Sequence, residues 1–272
     1  MKMIKSGRLM NCIRVTVAFC LFMLTDQTFA QQKLMLIAHR GGVVDSTYTE
    51  NGLPALKKAA AEGYAMIETD VRVTKDGILF ANHDADFKRY YHVDKKVTDL
   101  NWSEISQLKS ALDGNVPMKL EDVFQFCQKN KMSVMLDNKI AGLDTVLFNQ
   151  LLKMLDKYQL RKTALMIGTD ESTAFFTGKI KLSCTRQQLE ENMKRPDYQP
   201  EHYFFFERPA KLTKDDVDWA DKNRILLVAA INKFHYRKSV DLMNDAGEDC
   251  KRMLEIGVTG FQVDSEFSPF LH

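Results

Sequence analysis

Two acidic side chains stand two residues apart in a segment, residues 67–71, that otherwise has the composition of a buried strand. Because alternate side chains of a strand point to the same face, Glu68 and Asp70 share one face. Two carboxylates side by side in a protein interior repel each other and lose hydration, whereas a divalent ion that binds both removes this cost. The pair therefore predicts a cation site with oxygen ligands.

Two histidines in the same part of the chain each follow an apolar run. His39 comes after residues 34–38, and His83 comes after residues 78–82. Catalytic groups of α/β enzymes are commonly found at strand ends. Histidine titrates near neutral pH, so it is suited to both accept and donate protons. We therefore predict that His39 and His83 lie in an active site.

After residue 30 the chain alternates between strand-like and helix-like segments. Eight strands are predicted, near 34–39, 66–73, 133–137, 163–167, 180–183, 203–207, 225–231 and 260–263. Amphipathic helices are predicted at 53–62, 120–129, 146–155 and 217–223. This order predicts a closed (β/α)8 TIM barrel, a fold of typically about 250 residues. Residues 87–116 interrupt the order, which predicts an insertion after the second strand that shapes the substrate pocket.

The third predicted strand contributes a further acid, Asp137. In a closed barrel this strand neighbours the second, so Glu68, Asp70 and Asp137 are predicted to share one divalent cation. Mg²⁺ or Ca²⁺ is expected, because a zinc site would bring a close His/Cys cluster, and the sequence has none. Lys139 lies on the same strand face as Asp137, and with Arg40 it is predicted to bind a phosphate group.

Several short motifs follow one another in a fixed order. They are His39-Arg40-Gly41, Glu50-Asn51, Glu68-x-Asp70, Thr74-x-Asp76-Gly77 and His83-Asp84. This set resembles the motifs of the glycerophosphodiester phosphodiesterase family. The family's later Glu-x-Lys is matched by Asp137-Asn138-Lys139, which keeps the spacing but shortens the acid by one methylene. The resemblance is most specific over residues 34–139 and includes the segment 260–264 near the C-terminal end.

The resemblance implies that His39 and His83 are the general acid and base of phosphodiester cleavage. It also implies that Glu50 belongs to the active site with the phosphate-binding residues, and that the insertion covers that site. The sequence leaves open which histidine is the acid and which is the base. It also leaves open whether water attacks phosphorus directly, or whether the neighbouring glycerol hydroxyl attacks first to give a cyclic phosphate.

The expected activity is metal-dependent hydrolysis of glycerophosphodiesters to sn-glycerol 3-phosphate and an alcohol. One alternative is a lipid phosphodiesterase, similar to lysophospholipase D or sphingomyelinase D, and another is a non-catalytic barrel that binds phosphate-bearing ligands. The two histidines favour an enzyme, and the Lys, Asp and Tyr residues of 87–116 favour a soluble substrate. Segment 228–232 keeps the family's asparagine, Asn232, but has alanine where the family often has tryptophan, which predicts a wider pocket.

The first 30 residues have the three parts of a secretory signal peptide. Four basic residues precede or flank an apolar core at 15–24, and Thr28-Phe29-Ala30 predicts cleavage after Ala30. The core is shorter than the roughly 20 residues that span a bilayer. We therefore expect an exported protein, periplasmic or extracellular, without a stable membrane span. Removing the leader's four bases and one acid leaves 34 bases and 35 acids, a balance that argues against a nucleic-acid partner.

The remaining cysteines and histidines are predicted to be structural. Cys127, Cys184 and Cys250 are too few and too widely spaced for a disulfide framework, and we expect three buried thiols. The histidines expected at the surface or in packing positions are His92, His202, His235 and His272.

Overall fold

The structure, a computed structural model, describes residues 33–42 and 47–271. The predicted signal peptide, residues 1–30, lies outside the described residues. The described residues fall in one compact unit. Within this part of the chain, no helix has both the length and the apolar character needed to cross a membrane.

Eight parallel strands form a closed barrel, as predicted from the sequence. In chain order, and including four short strands of the insertion, the strands are β1 (Met35–Ala38), β2 (Met66–Val73), β3 (Leu79–Ala81), β4 (Asp86–Phe87), β5 (Val93–Lys96), β6 (Met118–Lys119), β7 (Ser133–Asn138), β8 (Leu165–Ile167), β9 (Lys181–Cys184), β10 (Tyr203–Glu207), β11 (Leu226–Ile231) and β12 (Gly260–Val263). The barrel consists of β1, β2 and β7 to β12, each paired in parallel with the next. Pairing of β1 with both β12 and β2 closes the ring.

Most helices follow barrel strands and cover the outside of the sheet, whereas the short helices at 88–91 and 102–105 belong to the insertion. They are α1 (Leu53–Ala61), α2 (Lys88–Tyr91), α3 (Trp102–Ile105), α4 (Leu120–Lys129), α5 (Thr145–Lys157), α6 (Asp170–Phe176), α7 (Arg186–Asn192), α8 (Lys214–Lys222) and α9 (Leu242–Glu255). The threonines that precede α6, α7 and α8 accept hydrogen bonds from free N–H groups of the first helical turn. The four predicted helices correspond to α1, α4, α5 and α8.

The alternation of side chains along the strands divides the core into two layers. Inside the barrel, one cluster consists of Ile37, Met66, Met135, Leu165, Phe204 and Val228. The opposite strand faces pack against the helices in a larger cluster. Two residues further along β2 and β7, at the C-terminal end of the barrel, Glu68 and Asp137 take the place of Met66 and Met135. The apolar cluster is thus the floor on which the polar site rests.

The insertion was predicted at residues 87–116, but it begins earlier, directly after β2. Strand β3 turns back antiparallel on β2, and β6 pairs with β3 before α4 begins. The turn is made by residues 74–77, where Gly77 has φ 80° and Thr74 Oγ1 accepts a hydrogen bond from the Ile78 N–H at 2.9 Å. The insertion has its own apolar cluster, in which Phe80 and Phe87 are buried.

All three cysteines outside the leader are buried free thiols, as predicted. Burial raises the pKa of Cys127 and Cys250 to about 12, and that of Cys184 to about 11. These thiols are therefore uncharged packing residues.

Candidate active site

Three carboxylates meet at the C-terminal ends of β2 and β7. Asp70 is paired with Asp137 in the strand register, and Glu68 precedes Asp70 by two residues on the same face. One oxygen of each side chain lies within 4.8 Å of the others. Glu68 and Asp70 are buried, whereas Asp137 is partly exposed. The three acids that the sequence analysis assigned to a cation are thus brought together.

Burial and mutual repulsion oppose ionisation of the clustered acids. Burial, reinforced by the charge of Asp70, raises the pKa of Glu68 to about 8. Burial also raises the pKa of Asp137, although the nearby Lys139 opposes this. Lys139 Nζ lies 2.5 Å from Asp137 Oδ2 and 3.7 Å from Asp70 Oδ1. A set of clustered carboxylates, two of them buried, whose oxygens lie this close together fits a hard divalent cation, which would relieve their repulsion.

His39 follows β1 and is held in place by Asp264, the residue that follows β12. Its Nδ1 hydrogen-bonds Asp264 Oδ1, and the other carboxylate oxygen accepts from the Lys233 N–H at 2.7 Å. Its Nε2 lies 4.0 Å from Glu68 Oε2. Burial alone would lower the pKa of His39, but the charge and hydrogen bond of Asp264 raise it to about 9. His39 is therefore a positively charged imidazolium at neutral pH.

Arg40 has a left-handed backbone, with φ 52°. This conformation directs its backbone N–H to Glu68 Oε2, at 2.6 Å. The guanidinium reaches Glu50, with Nη1 3.2 Å from Oε2, and His83, with Nη2 2.8 Å from Nε2. The next residue, Gly41, has φ 82°, and a β-carbon there would collide with neighbouring atoms. The glycine of the His-Arg-Gly motif is therefore needed for steric reasons, whereas the histidine and arginine have chemical ones.

His83 follows β3, and its two ring nitrogens have different partners. A guanidinium can only donate hydrogen bonds, so His83 Nε2 accepts from Arg40 and the ring proton is on Nδ1. Nδ1 donates to Asp84 Oδ1 at 2.8 Å. Burial opposes ionisation of Asp84, but hydrogen bonds from His83 and Arg89 lower its pKa to about 2. His83 thus presents an unprotonated Nε2 to the site, in contrast to His39.

Glu50 is buried beneath two guanidinium groups. Its carboxylate accepts from Arg40, from Arg89 and from the Tyr90 hydroxyl, the last at 3.3 Å. Because an anion repels phosphate, these contacts indicate that Glu50 acts by orienting Arg40. Glu50, His83 and Asp84 also have potential ligand atoms within 4.8 Å of one another. Both carboxylates already bind Arg89, so we assign no ion to this second group.

A cavity of about 370 Å³ opens at this end of the barrel. His39, Arg40, His83, Asp137 and Lys139 line one part of it. The rest is lined by Ile167, Phe206, Glu207, Arg208, Ala230, Asn232, Phe234, His235 and Gln262. Ala230, in the segment where the family often has tryptophan, thus lies in the wall of this cavity.

His235 was expected at the surface or in a packing position, and its place in the cavity wall corrects that view. The turn Lys233–Tyr236 after β11 folds back over the strand end. His235 Nδ1 consequently lies 2.9 Å from the Ala230 carbonyl oxygen. Burial lowers the pKa of His235, so it is neutral at pH 7.

Several polar residues without a role assigned from the sequence hold the site together. Asn51, with φ 57°, donates from Nδ2 to Asp70 Oδ2 at 3.1 Å, and its Oδ1 accepts from Thr69 Oγ1 at 2.8 Å. Arg72 donates to the His83 carbonyl oxygen at 2.6 Å. Asn51 and Asp84 belong to the Glu50-Asn51 and His83-Asp84 motifs, but the sequence did not indicate which residues they bind. Asp264 meets His39 across 225 residues, a contact that no local pattern indicates.

The fold and site define a class of protein: a TIM barrel whose C-terminal end combines clustered carboxylates, two histidines and basic side chains in one cavity. A model of the glycerophosphoryl diester phosphodiesterase family matches residues 39–265. The chain therefore belongs to this family.

Curated relatives are similar over part of the chain. Lysophospholipase D GDPD1 of Rattus norvegicus is 36% identical over 77 residues, which are 28% of this chain and 24% of that protein. Glycerophosphodiester phosphodiesterase 1 of Homo sapiens is 30% identical over 118 residues, which are 40% of this chain and 35% of that protein. The matched region thus spans about a quarter to a third of these relatives.

Solved structures are similar over most of the chain. A glycerophosphoryl diester phosphodiesterase from Parabacteroides distasonis has a TM-score of 0.71 at 18% identity, covering 89% of this chain and 87% of that one. A phosphodiesterase from Oleispira antarctica, in complex with the product sn-glycerol-3-phosphate, has a TM-score of 0.66 at 17% identity, covering 86% and 95%. These similarities establish the fold.

Proposed function

We propose that the chain hydrolyses glycerophosphodiesters to sn-glycerol 3-phosphate and an alcohol, with one divalent cation and with His39 and His83 as acid and base. The observation that carries this proposal is the meeting of three carboxylates, two histidines in opposite protonation states and two basic side chains at one cavity. A protein that only binds a phosphate has no need for a paired proton donor and acceptor.

The cation would be held by Glu68, Asp70 and Asp137. Bound there, Mg²⁺ or Ca²⁺ would supply charge neutralisation for the acids and Lewis-acid polarisation of the phosphate. Asn51 fixes the direction of the Asp70 carboxylate, and the Arg40 N–H fixes that of Glu68. These contacts hold two of the three carboxylates in place for the cation.

The phosphate would lie between Arg40 and Lys139. Both side chains line the cavity, and both are positioned by carboxylates, Glu50 for Arg40 and Asp137 for Lys139. Burial lowers the pKa of Lys139, but Asp137 outweighs burial and raises it, so the ammonium stays charged. Two fixed cations close to a transferring phosphoryl group stabilise the charge that develops on its oxygens.

The hydrogen bonds of the two histidines support different tasks for them. His39 carries a proton that Asp264 stabilises, so its Nε2–H can protonate the departing oxygen of the alcohol. His83 Nε2 carries a lone pair, so it can accept the proton of the attacking hydroxyl once Arg40 turns to the phosphate. The attacking group is either water or the glycerol hydroxyl next to the phosphate, and only the second route gives a cyclic phosphate.

A lipid phosphodiesterase is the second candidate. Ile167, Phe206 and Phe234 make part of the cavity wall apolar, and Ala230 leaves room beside them. An acyl chain carried by a lysophospholipid would contact these side chains.

We also propose that the protein is exported. The support is the order of basic, apolar and small residues in 1–30, which predicts cleavage before Gln31.

A panel of diesters tests the activity. Glycerophosphocholine, glycerophosphoethanolamine and lysophosphatidylcholine would be incubated with the purified protein in chelator, and again after addition of Mg²⁺ or Ca²⁺. We expect glycerol 3-phosphate from the two water-soluble diesters, only with added cation. Faster cleavage of lysophosphatidylcholine would favour the second candidate. No cleavage of any diester, or full activity in chelator, would contradict the proposed function.

A further inference from the structure

The exposed apolar side chains are concentrated at one end of the barrel. Among the residues that the structure describes, eleven large apolar side chains are exposed. Nine of them lie between the C-terminal end of a barrel strand and the first turn of the barrel helix that follows it, and two of these nine belong to the insertion. Phe270 follows the last strand, β12, and the exception is Leu254, near the end of α9. Single exposed apolar residues are common and need no explanation, but scattered ones would be divided between both ends. The end that holds the catalytic cavity is therefore distinctly apolar.

The most exposed of these residues lie on opposite sides of the cavity mouth. Leu143 and Val146 follow β7 and are 60% and 77% exposed. Phe234 and Val240 follow β11 and are 61% and 106% exposed. In the ring of eight strands, β7 and β11 are four places apart, so the two groups face each other across the barrel axis.

The segment after β11 also carries positive charge. Residues 233–240 include three basic side chains and no acid. The Arg237 guanidinium lies 3.7 Å from the centre of the Phe234 ring, and Lys238 is exposed beside it. Of the three bases, Lys233 pairs with Glu266, so Arg237 and Lys238 are the two exposed bases of the segment. Of the acids that follow, Asp241 caps α9 and Asp245 accepts from Ser239. An aromatic ring, an aliphatic side chain and free bases together are typical of segments that bind an anionic membrane surface.

We propose that the C-terminal rim of the barrel docks on the surface of an anionic phospholipid bilayer, with Val146 and Val240 entering the interface on either side of the cavity mouth. A flat partner fits this arrangement, because apolar contacts on two sides of an opening can all meet one plane. The bases at 237 and 238 complement the headgroup charge. Docking would turn the catalytic cavity toward the membrane, where phosphodiester headgroups are concentrated. The interaction is peripheral and does not depend on hydrolysis.

Vesicle flotation tests the docking with the full exported chain. One set of vesicles would be phosphatidylcholine alone, and the other would be a mixture with phosphatidylglycerol. We expect binding to the mixed vesicles that weakens with salt. Val146→Ser and Val240→Ser should each weaken it by up to about tenfold, because each removes apolar carbons from the interface. Leu254→Ser, at the opposite end of the barrel, is the matched control and should bind as the wild type does.

The charge contribution has its own pair of variants. Arg237→Gln with Lys238→Gln should lower binding to the anionic vesicles by roughly fivefold per base, and should leave binding to phosphatidylcholine unchanged. Lys129→Gln with Lys222→Gln, at the other end of the barrel, should have no effect. All these side chains are exposed, so melting temperatures should stay the same.

Three results would overturn the proposal. The first is no binding to either vesicle. The second is an equal loss of binding in Leu254→Ser, which would mean that the rim is not the contact. The third is concentration-dependent dimerisation that Val146→Ser with Val240→Ser abolishes, without vesicle binding, which would assign the rim to a second copy of the chain.

Discussion

Removal of the divalent cation should make the stability of the protein depend on pH in a particular direction. Without a cation, the pKa of Glu68 is raised from 4.5 to about 8, chiefly by burial and by the charge of Asp70. Between these two values the folded protein binds a proton that the unfolded chain has lost. Raising the pH through this window therefore lowers the free energy of unfolding.

The magnitude follows from the size of the shift. About 3.5 pKa units at about 1.4 kcal/mol each give an upper value of roughly 5 kcal/mol for Glu68. His39 acts in the same direction, because its raised pKa stabilises the fold below pH 6.5 and this contribution is lost as the pH rises through about 9. In a chain of this size 1 kcal/mol changes Tm by roughly 2–4 °C, so the Glu68 contribution corresponds to a fall of up to about 10–20 °C.

Thermal denaturation from pH 5 to 9 would measure this change, once in chelator and once with saturating Mg²⁺ or Ca²⁺. The fall in Tm should be large in chelator and small with the cation, and in chelator Glu68→Gln should reduce it to the part that His39 contributes. Glu255→Gln, an exposed acid at the end of α9, is the control and should behave as the wild type. A pH-independent Tm in chelator, or the same cation effect in Glu68→Gln, would refute the reasoning.

Three further predictions concern single features of the chain. Asp264→Asn keeps the shape of the side chain but removes its charge, so the pKa of His39 should fall by at least one unit in an NMR titration with chelator, and kcat should fall by roughly 10²–10⁴-fold; an unchanged titration would count against this. Asp137→Glu should keep activity in the diester assay, whereas Asp70→Ala should lose it, and equal loss in both would argue against a shared cation. Intact-mass measurement of the exported protein should give Gln31 as the first residue, and retention of residues 1–30 would contradict cleavage.

The barrel could be predicted because its strands and helices alternate along the chain and differ in the spacing of their apolar residues. All eight barrel strands lie within two residues of their predicted positions, and α4 has the predicted bounds. The start of the insertion could not be located in the same way. Residues 78–82 have the composition of a barrel strand. Instead, β3 within this run pairs antiparallel with β2. Strand direction depends on the turn at 74–77 and on the space beside β2, which local composition does not report.

The site was predictable where its residues share a strand face. Glu68, Asp70 and Asp137 followed from the alternation of side chains and from the adjacency of two strands. Asp264 and the cavity position of His235 required the tertiary structure, because each depends on how segments far apart in sequence meet. The hydrogen-bond partners of the two histidines also required it, since His39 bonds Asp264 and His83 bonds Arg40.

The division of labour between His39 and His83 is the central mechanistic claim, and a change of leaving group tests it most directly. His39→Ala and His83→Ala should each lower kcat for glycerophosphodiesters by roughly 10²–10⁴-fold and leave KM within a few fold, because Arg40 and Lys139 still bind the phosphate. A nitrophenyl phosphodiester needs little protonation as it departs, so it should restore turnover in His39→Ala but not in His83→Ala. Rescue of both variants, rescue of neither, or wild-type turnover in either would contradict the assignment.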